Sequence, residues 1–284
     1  MQCCESIQLL RVILDGIPAK LPAEAVLRTF FNRNFLTAAL SCLSICSSIC
    51  AAAPDEIQVY LDDMSEPGHF GVDVHNNYVL SGSRTPDYSG AQSPYGVYRL
   101  TPEFYYGLSH SYELGLYVLS SLNPQGQTNI DGAKLRMKYI APHDAEKGSF
   151  WGANFELGRV DHRFSENPWT TELKGIYGYR GGSWLFAINP NLDWSFLGQA
   201  NSPVALRIDS KLAYQAGSNY AVGIEMYNDM GPLHNLGHLS QESEMLYGVV
   251  DVEVKKWEVN FGVGRGLTTA SDRWVLKLIV GTRY

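Results

Sequence analysis

The sequence predicts an all-β chain, a transmembrane antiparallel up-and-down β-barrel of about 12 strands with both termini periplasmic, and three observations carry that reading. The chain ends on an aromatic, Tyr284, at the close of a strand with a strict two-residue rhythm. Residues 35–49 form an apolar run of roughly 15 residues, the size of a signal-peptide core and short of the about 20 that a spanning helix needs. Between these two ends the chain reads as strand after strand, with short and long connections in alternation.

In the last strand, Trp274, Leu276, Leu278, Val280 and Thr282 share a face with Tyr284, and Arg273, Val275, Lys277, Ile279, Gly281 and Arg283 share the other. Lipid on one side and a polar lumen on the other require that arrangement. A strand of a soluble sandwich alternates in the same way, so the final strand needs the support of the other two observations.

The apolar run follows Arg28 and Arg33 and precedes Cys50, Ala51, Ala52 and Ala53. Small residues of this kind mark a signal-peptidase site, and Pro54 places the cut between Ala52 and Ala53. Residues 1–52 are therefore expected to be a leader. Its charged start is unusually long, which suggests a functional start near Val26 or Leu27. Ile45 and Ile49 stand before Cys46 and Cys50, where a lipoprotein signal wants a small residue. All five cysteines (Cys3, Cys4, Cys42, Cys46, Cys50) precede the cut. The mature chain then has no thiol for a disulfide, a thiolate metal site or thiol catalysis. The formal net charge of the chain is −7, with no basic block, which argues against a nucleic-acid partner.

Candidate strands fall at 70–81, 95–106, 112–122, 133–140, 150–160, 170–180, 183–194, 203–215, 219–227, 244–254, 257–265 and 273–284, mostly the length of a tilted membrane strand. Short connections fall at 109–111, 181–182, 216–218 and 255–256. Long ones fall at 82–94, 123–132, 161–169, 196–202, 228–243 and 267–272, and 143–149 is of middling length where a short one belongs. Turns sorted by length to opposite ends are a barrel property. Pro102 and Pro190 lie inside candidate strands, where a missing N–H interrupts a ladder or marks a bulge. Residues 53–68 are acidic and read as a short periplasmic N-terminal segment or one entering the barrel, and Ile57, Val59 and Leu61 leave an extra strand as the alternative. The barrel itself is expected over 69–284.

The faces divide cleanly. Tyr112, Leu114, Leu116 and Val118 oppose Glu113, Gly115 and Tyr117; Trp151, Ala153, Phe155 and Leu157 oppose Gly152, Asn154, Glu156 and Gly158. Val204, Leu206, Ile208, Leu212 and Tyr214 oppose Arg207, Asp209 and Lys211, and Trp257, Val259, Phe261 and Val263 oppose Glu258, Asn260, Gly262 and Gly264. Aromatics recur near strand ends, as interfacial girdles require.

The segments Leu-Thr-Pro-Glu-Phe-Tyr-Tyr-Gly (100–107), Glu-Leu-Lys-Gly-Ile-Tyr-Gly-Tyr (172–179) and Asn-Phe-Gly-Val-Gly-Arg-Gly-Leu (260–267), with the leader and the strand rhythm, resemble a family of proteobacterial outer-membrane β-barrel proteins. That family is loosely akin to the transporter-like barrels of phenol meta-cleavage pathways. The resemblance covers nearly all of the mature chain. It implies residence in the bacterial outer membrane, with outer-membrane lipid, lipopolysaccharide and the barrel-assembly machinery as partners. It also implies that Trp274, Leu276, Leu278, Val280 and Tyr284 act as a C-terminal insertion signal. It names no substrate, and nothing in the sequence fixes an oligomeric state.

Chemistry finds little support. A serine hydrolase needs a serine held by a histidine that a third group orients. His162, Ser165 and Asn167 are the best local cluster, and the odd His162–Ser165 spacing puts the two on opposite faces of a strand. His234 and His238 have helical metal-ligand spacing, but Gly231, Pro232 and Gly237 oppose a helix. Gly262, Gly264 and Gly266 share a strand face and read as room in the lumen rather than a phosphate cradle. No enzyme, cofactor or metal is expected.

The inward face is richer. Lys134, Arg136 and Lys138 form a basic ladder, and Asp251, Glu253 and Glu258 form an acidic group. Glu156, Arg207, Asp209, Lys211 and Lys277 complete the expected pore lining, with Asp73, Arg99, Glu103, Glu113, Glu172, Lys174, Asp193 and Glu225 also inward. Separate basic and acidic walls would set a transverse field across a pore. The expected function is porin-like passive transport of small polar or aromatic-acid solutes through a charged lumen. The alternatives are a closed structural or adhesion barrel acting through its outer loops, and an outer-membrane lipid hydrolase.

Overall fold

The computed structural model describes residues 56–198, 200–236 and 242–284. The leader, its cysteines, the start near Val26 and the cut between Ala52 and Ala53 lie outside the described residues. Twelve strands form one closed sheet: β1 (Phe70–Ser81), β2 (Tyr98–Ser109), β3 (Tyr112–Leu122), β4 (Thr128–Ile140), β5 (Gly148–Val160), β6 (Trp169–Gly181), β7 (Trp184–Phe196), β8 (Ala205–Gln215), β9 (Tyr220–Pro232), β10 (Glu244–Val254), β11 (Trp257–Gly266) and β12 (Trp274–Arg283). Each pairs antiparallel with its neighbours in sequence, and β12 returns to β1. Closure leaves no edge of unpaired N–H and C=O groups, which lipid could not satisfy.

Burial is inverted relative to a water-soluble core. Outward-facing Leu114, Leu116, Leu135, Phe155 and Phe261 are exposed, whereas inward-facing Glu103, Glu113, Lys174, Glu225 and Lys277 are buried. Large apolar residues covering a closed sheet leave lipid as the solvent of that surface. The short-turn end wears a dense aromatic belt: Phe70 packs on Tyr106, Tyr139 lies between Tyr112 and Trp151, and Trp184 meets Tyr214.

The largest boundary changes are in β2, β4 and β9, of which β9 runs to Pro232, past the expected stop at 227. β4 begins at Thr128, so the connection expected at 123–132 shrinks to 123–127. A bulge explains this: Leu119 faces Gly132 and Ser120 faces Ile130, leaving Asp131 as the extra residue. Gly132 has φ 147°, and a side chain there would strike the main chain of Arg159. The bulge shifts the alternation by one, which hid residues 128–131 from a period-two reading. β2 in turn runs to Ser109, past the expected stop at 106.

The prolines sit where each ladder tolerates them. Pro102 pairs with Val74 of β1, while Thr101 and Pro102 have no register partner on β3. Pro190 pairs with Ile208 of β8, while Asn189 and Pro190 have none on β6. Each proline thus breaks one ladder and keeps the other.

Residues 56–67 add no strand to the sheet. They run inside the wall, with Ile57, Val59, Tyr60 and Ser65 buried. Ile57 packs against Val79, Tyr247, Val249 and Val275, and Val59 and Tyr60 against Ile140, Phe150, Ile176 and Ala187. The segment leaves at the short-turn end, where Pro67 bridges Gly107 and Gly68 donates to the Gly107 carbonyl at 2.8 Å.

Candidate functional site: a charged and plugged lumen

Most of the residues expected to line a pore meet in compact ion clusters, while Glu253 and Glu258 stand in the lining of an open chamber. The β4 ladder is not a bare basic wall. Its neighbours carry acids in register: Glu113 lies opposite Lys138, and Glu156 opposite Arg136. Arg136 reaches Glu113 at 2.5 Å and Glu103 at 3.0 Å. Lys134 stands 3.8 Å from Glu156, and Lys138 donates to the Asp63 carbonyl at 2.7 Å. The transverse field expected from a separate basic wall is therefore largely cancelled on that side. Buried ions demand such partners.

A second cluster centres on Arg207, at 2.7 Å from Glu172, 3.2 Å from Asp209 and 3.6 Å from Asp193. In a third, Lys211 bridges Asp251 and Glu225, at 2.8 and 3.2 Å. Lys277 also pairs with Glu225, and its ammonium donates to the Ile57 carbonyl at 3.2 Å. Glycines make room for these side chains. The stem of Lys277 lies over Gly262 and the ring of Tyr247 over Gly264, where a Cβ would collide.

Tyr60 crosses the lumen centre. Its hydroxyl lies 2.6 Å from that of Tyr117 and 3.2 Å from Glu156, and Lys174 sits 3.9 Å above its ring. Asn189 accepts from the Tyr60 N–H at 2.6 Å and donates to its carbonyl at 3.1 Å. Farther along, Asp62 pairs with both terminal guanidinium nitrogens of Arg180 and with His143 at 2.7 Å. Burial alone would raise the Asp62 carboxyl, but the hydrogen bonds from Arg180 and His143 outweigh it and hold the group below its ordinary value. The Ser65 N–H donates to Glu113 at 2.7 Å. The middling connection at 141–147 thus has a purpose, since His143 on it helps seat the segment.

The long-loop end is bridged as well. Arg163 pairs with Asp131 and Asp161, at 3.0 and 2.8 Å, and its carbonyl accepts from Gln92 of the 82–97 loop at 2.8 Å. Phe164 lies 3.8 Å from the guanidinium of buried Arg99. A chamber of about 670 Å³ stays open and reaches the short turns at 182–183 and 216–219. Its carboxylates, including Asp63, Asp73, Asp251, Glu253 and Glu258, outnumber its two basic groups, Arg180 and Lys211. Glu253, which is exposed, and half-buried Glu258 face each other directly across the β10–β11 ladder.

The fold is that of an outer-membrane β-barrel. No protein-family model matches the chain, and no curated protein sequence matches it. Among solved structures it is similar to the COG4313 outer membrane channel from Pseudomonas putida F1, with TM-score 0.54 and 13% identity over 81% of this chain and 100% of that one. It also aligns with the KdgM porin (TM-score 0.47, 12% identity, 75% of this chain and 98% of that one) and the NanC porin (0.48, 12%, 74% and 97%). At these identities the likeness is one of fold.

The serine and histidine of the 162–167 cluster point to different partners. Ser165 donates to the Asn167 carbonyl at 2.6 Å, while His162 Nε2 lies 3.1 Å from the Ser89 carbonyl, so serine and histidine do not engage each other. His234 is exposed in a turn, and His238 lies outside the described residues. Sequence reasoning missed Tyr60, Asp62, Asn189 and Tyr117 as lumen-closing groups. The one signal was the apolar rhythm Ile57, Val59, Leu61 within an acidic stretch.

Proposed function

We propose that this barrel is a passive outer-membrane channel for small polar solutes, held shut by its own N-terminal segment. The observation that carries this reading is the seating of residues 56–67. They are fixed by side-chain contacts rather than by strand ladders, so they can leave without opening the barrel wall. A lumen meant only as a scaffold has no need of a separable closure beside a chamber of about 670 Å³. Of the two solute classes expected from the sequence, the chamber favours polar neutral or cationic solutes, since its excess of carboxylates repels aromatic acids. In this reading the short-turn end is periplasmic, and the final strand directs assembly by the barrel-assembly machinery.

A closed structural or adhesion barrel is the second reading. It is favoured by the dense ion pairing around Arg136 and Arg207 and by the loop bridge over Arg99. Single-channel recording of protein in planar bilayers separates the two. Discrete, solute-blockable conductance steps support the channel, and silence under all voltages supports the closed barrel.

A further inference from the structure

We propose that Asp73, His75 and Glu103 form a binding site for a divalent first-row transition metal ion, of the zinc class, on the inner wall of β1 and β2. Asp73 and His75 are two apart on β1 and so share its inward face, and Glu103 is the register partner of Asp73 on β2. A carboxylate oxygen from each acid and a ring nitrogen of His75 lie within 4.8 Å of one another. His75 is fully buried, and its Nδ1 has no hydrogen-bond partner. Nε2 is the ring nitrogen that faces Glu103, and it is the one placed to ligate an ion.

The spacing fits the chemistry. His75 Nε2 and Glu103 Oε2 are 3.3 Å apart, long for a charge-assisted hydrogen bond. Tetrahedral zinc, with bonds near 2.0 Å, sets its ligand atoms about 3.3 Å apart. The imidazole and two carboxylates supply the nitrogen and oxygen donors of a three-ligand site, which leaves a fourth tetrahedral position for water. Outer contacts of the usual kind are in place. Tyr105 donates to Asp73 Oδ1 at 2.9 Å, and Arg136 reaches Glu103 Oε1 at 3.0 Å, leaving Oε2 for the ion. Arg136 also keeps Glu113 at 2.5 Å, so its charge remains matched when Glu103 turns toward a metal. Access is provided by the chamber, whose wall includes Asp73 together with Asp251, Glu253 and Glu258. A negative wall concentrates divalent cations at its entrance.

The test uses untagged protein extracted from membranes in detergent, stripped with chelator and exchanged into chelator-free buffer. Zn²⁺ is titrated calorimetrically and Co²⁺ spectroscopically, with Asp73→Asn, His75→Asn and Glu166→Gln variants alongside. One equivalent of Zn²⁺ is expected, with tetrahedral cobalt absorption and no thiolate charge-transfer band. Affinity should fall at least tenfold in Asp73→Asn and His75→Asn, and stay within twofold in Glu166→Gln, an exposed carboxylate outside the chamber. Heat-modifiable gel mobility reports folding, and Asp73→Asn alone carries the comparison if His75→Asn does not fold. The proposal is overturned by an absence of saturable binding, by equal affinity in wild type and Asp73→Asn, or by a thiolate band.

Discussion

Asn189 grips the main chain of Tyr60 with both ends of its carboxamide, accepting from the N–H at 2.6 Å and donating to the carbonyl at 3.1 Å. This is the pairing a neighbouring strand would give, supplied here by one side chain beside Pro190, where the β6–β7 ladder is interrupted. Asn189→Leu leaves both Tyr60 groups buried and unpaired, at about 1–3 kcal/mol each. Amide exchange at Tyr60 and Leu61 should accelerate at least tenfold while the barrel amides stay protected. Unchanged exchange would show that the segment is held elsewhere.

The seat of the segment should depend on pH through Asp62. Its carboxyl is held below the ordinary range when paired with Arg180 and His143. A group depressed in the seated state stabilises that state above its ordinary pKa of about 3.9, and the contribution is lost as pH falls through the depressed value. Open events in bilayer recordings should therefore increase below about pH 4. Asp62→Asn should raise them at neutral pH and flatten the acid dependence. An equally steep acid dependence in Asp62→Asn would remove this residue from the account.

Neutralising the β4 ladder should do more to stability than to selectivity. Arg136 is buried between Glu103 and Glu113, and Arg136→Gln strands two carboxylates, a loss of about 3–5 kcal/mol. Lys134, at 3.8 Å from Glu156 and partly exposed, should cost far less. Urea denaturation followed by gel mobility measures both. Comparable midpoints for the two variants would contradict the ion-cluster description.

Tyr284 is tied to the start of the barrel. Its N–H donates to the Phe70 carbonyl at 2.8 Å, its carbonyl lies 2.6 Å from His69 Nδ1, and Lys256 sits 4.4 Å above its ring. Deleting it removes the last closure contact between β12 and β1 and an exposed aromatic of the short-turn belt. Folded yield in the outer membrane should fall severalfold. An undiminished yield would separate Tyr284 from assembly.

The outward faces were legible in the sequence because they obey a single rule. Tyr112, Leu114 and Leu116, or Trp257, Phe261 and Val263, face lipid, and lipid accepts any large apolar side chain. The inward face was legible in sign but not in partnership. The ladder Lys134, Arg136, Lys138 stood out as a basic stripe, yet its meaning depends on Glu103, Glu113 and Glu156, whose positions follow from register. Register shifts by bulges such as Asp131–Gly132 are weak in a period-two reading. The segment around Tyr60 was the hardest to place. It is held by polar side chains from β3, β5 and β7, far apart in sequence, and such contacts leave no periodic trace.

The most direct measurement is single-channel conductance of the intact protein against a variant lacking residues 56–66. The account predicts rare or small openings in the intact protein and a larger, steady conductance in the variant, with unchanged heat-modifiable mobility. A folded variant that conducts no better than the intact protein would contradict the claim that the N-terminal segment closes this lumen.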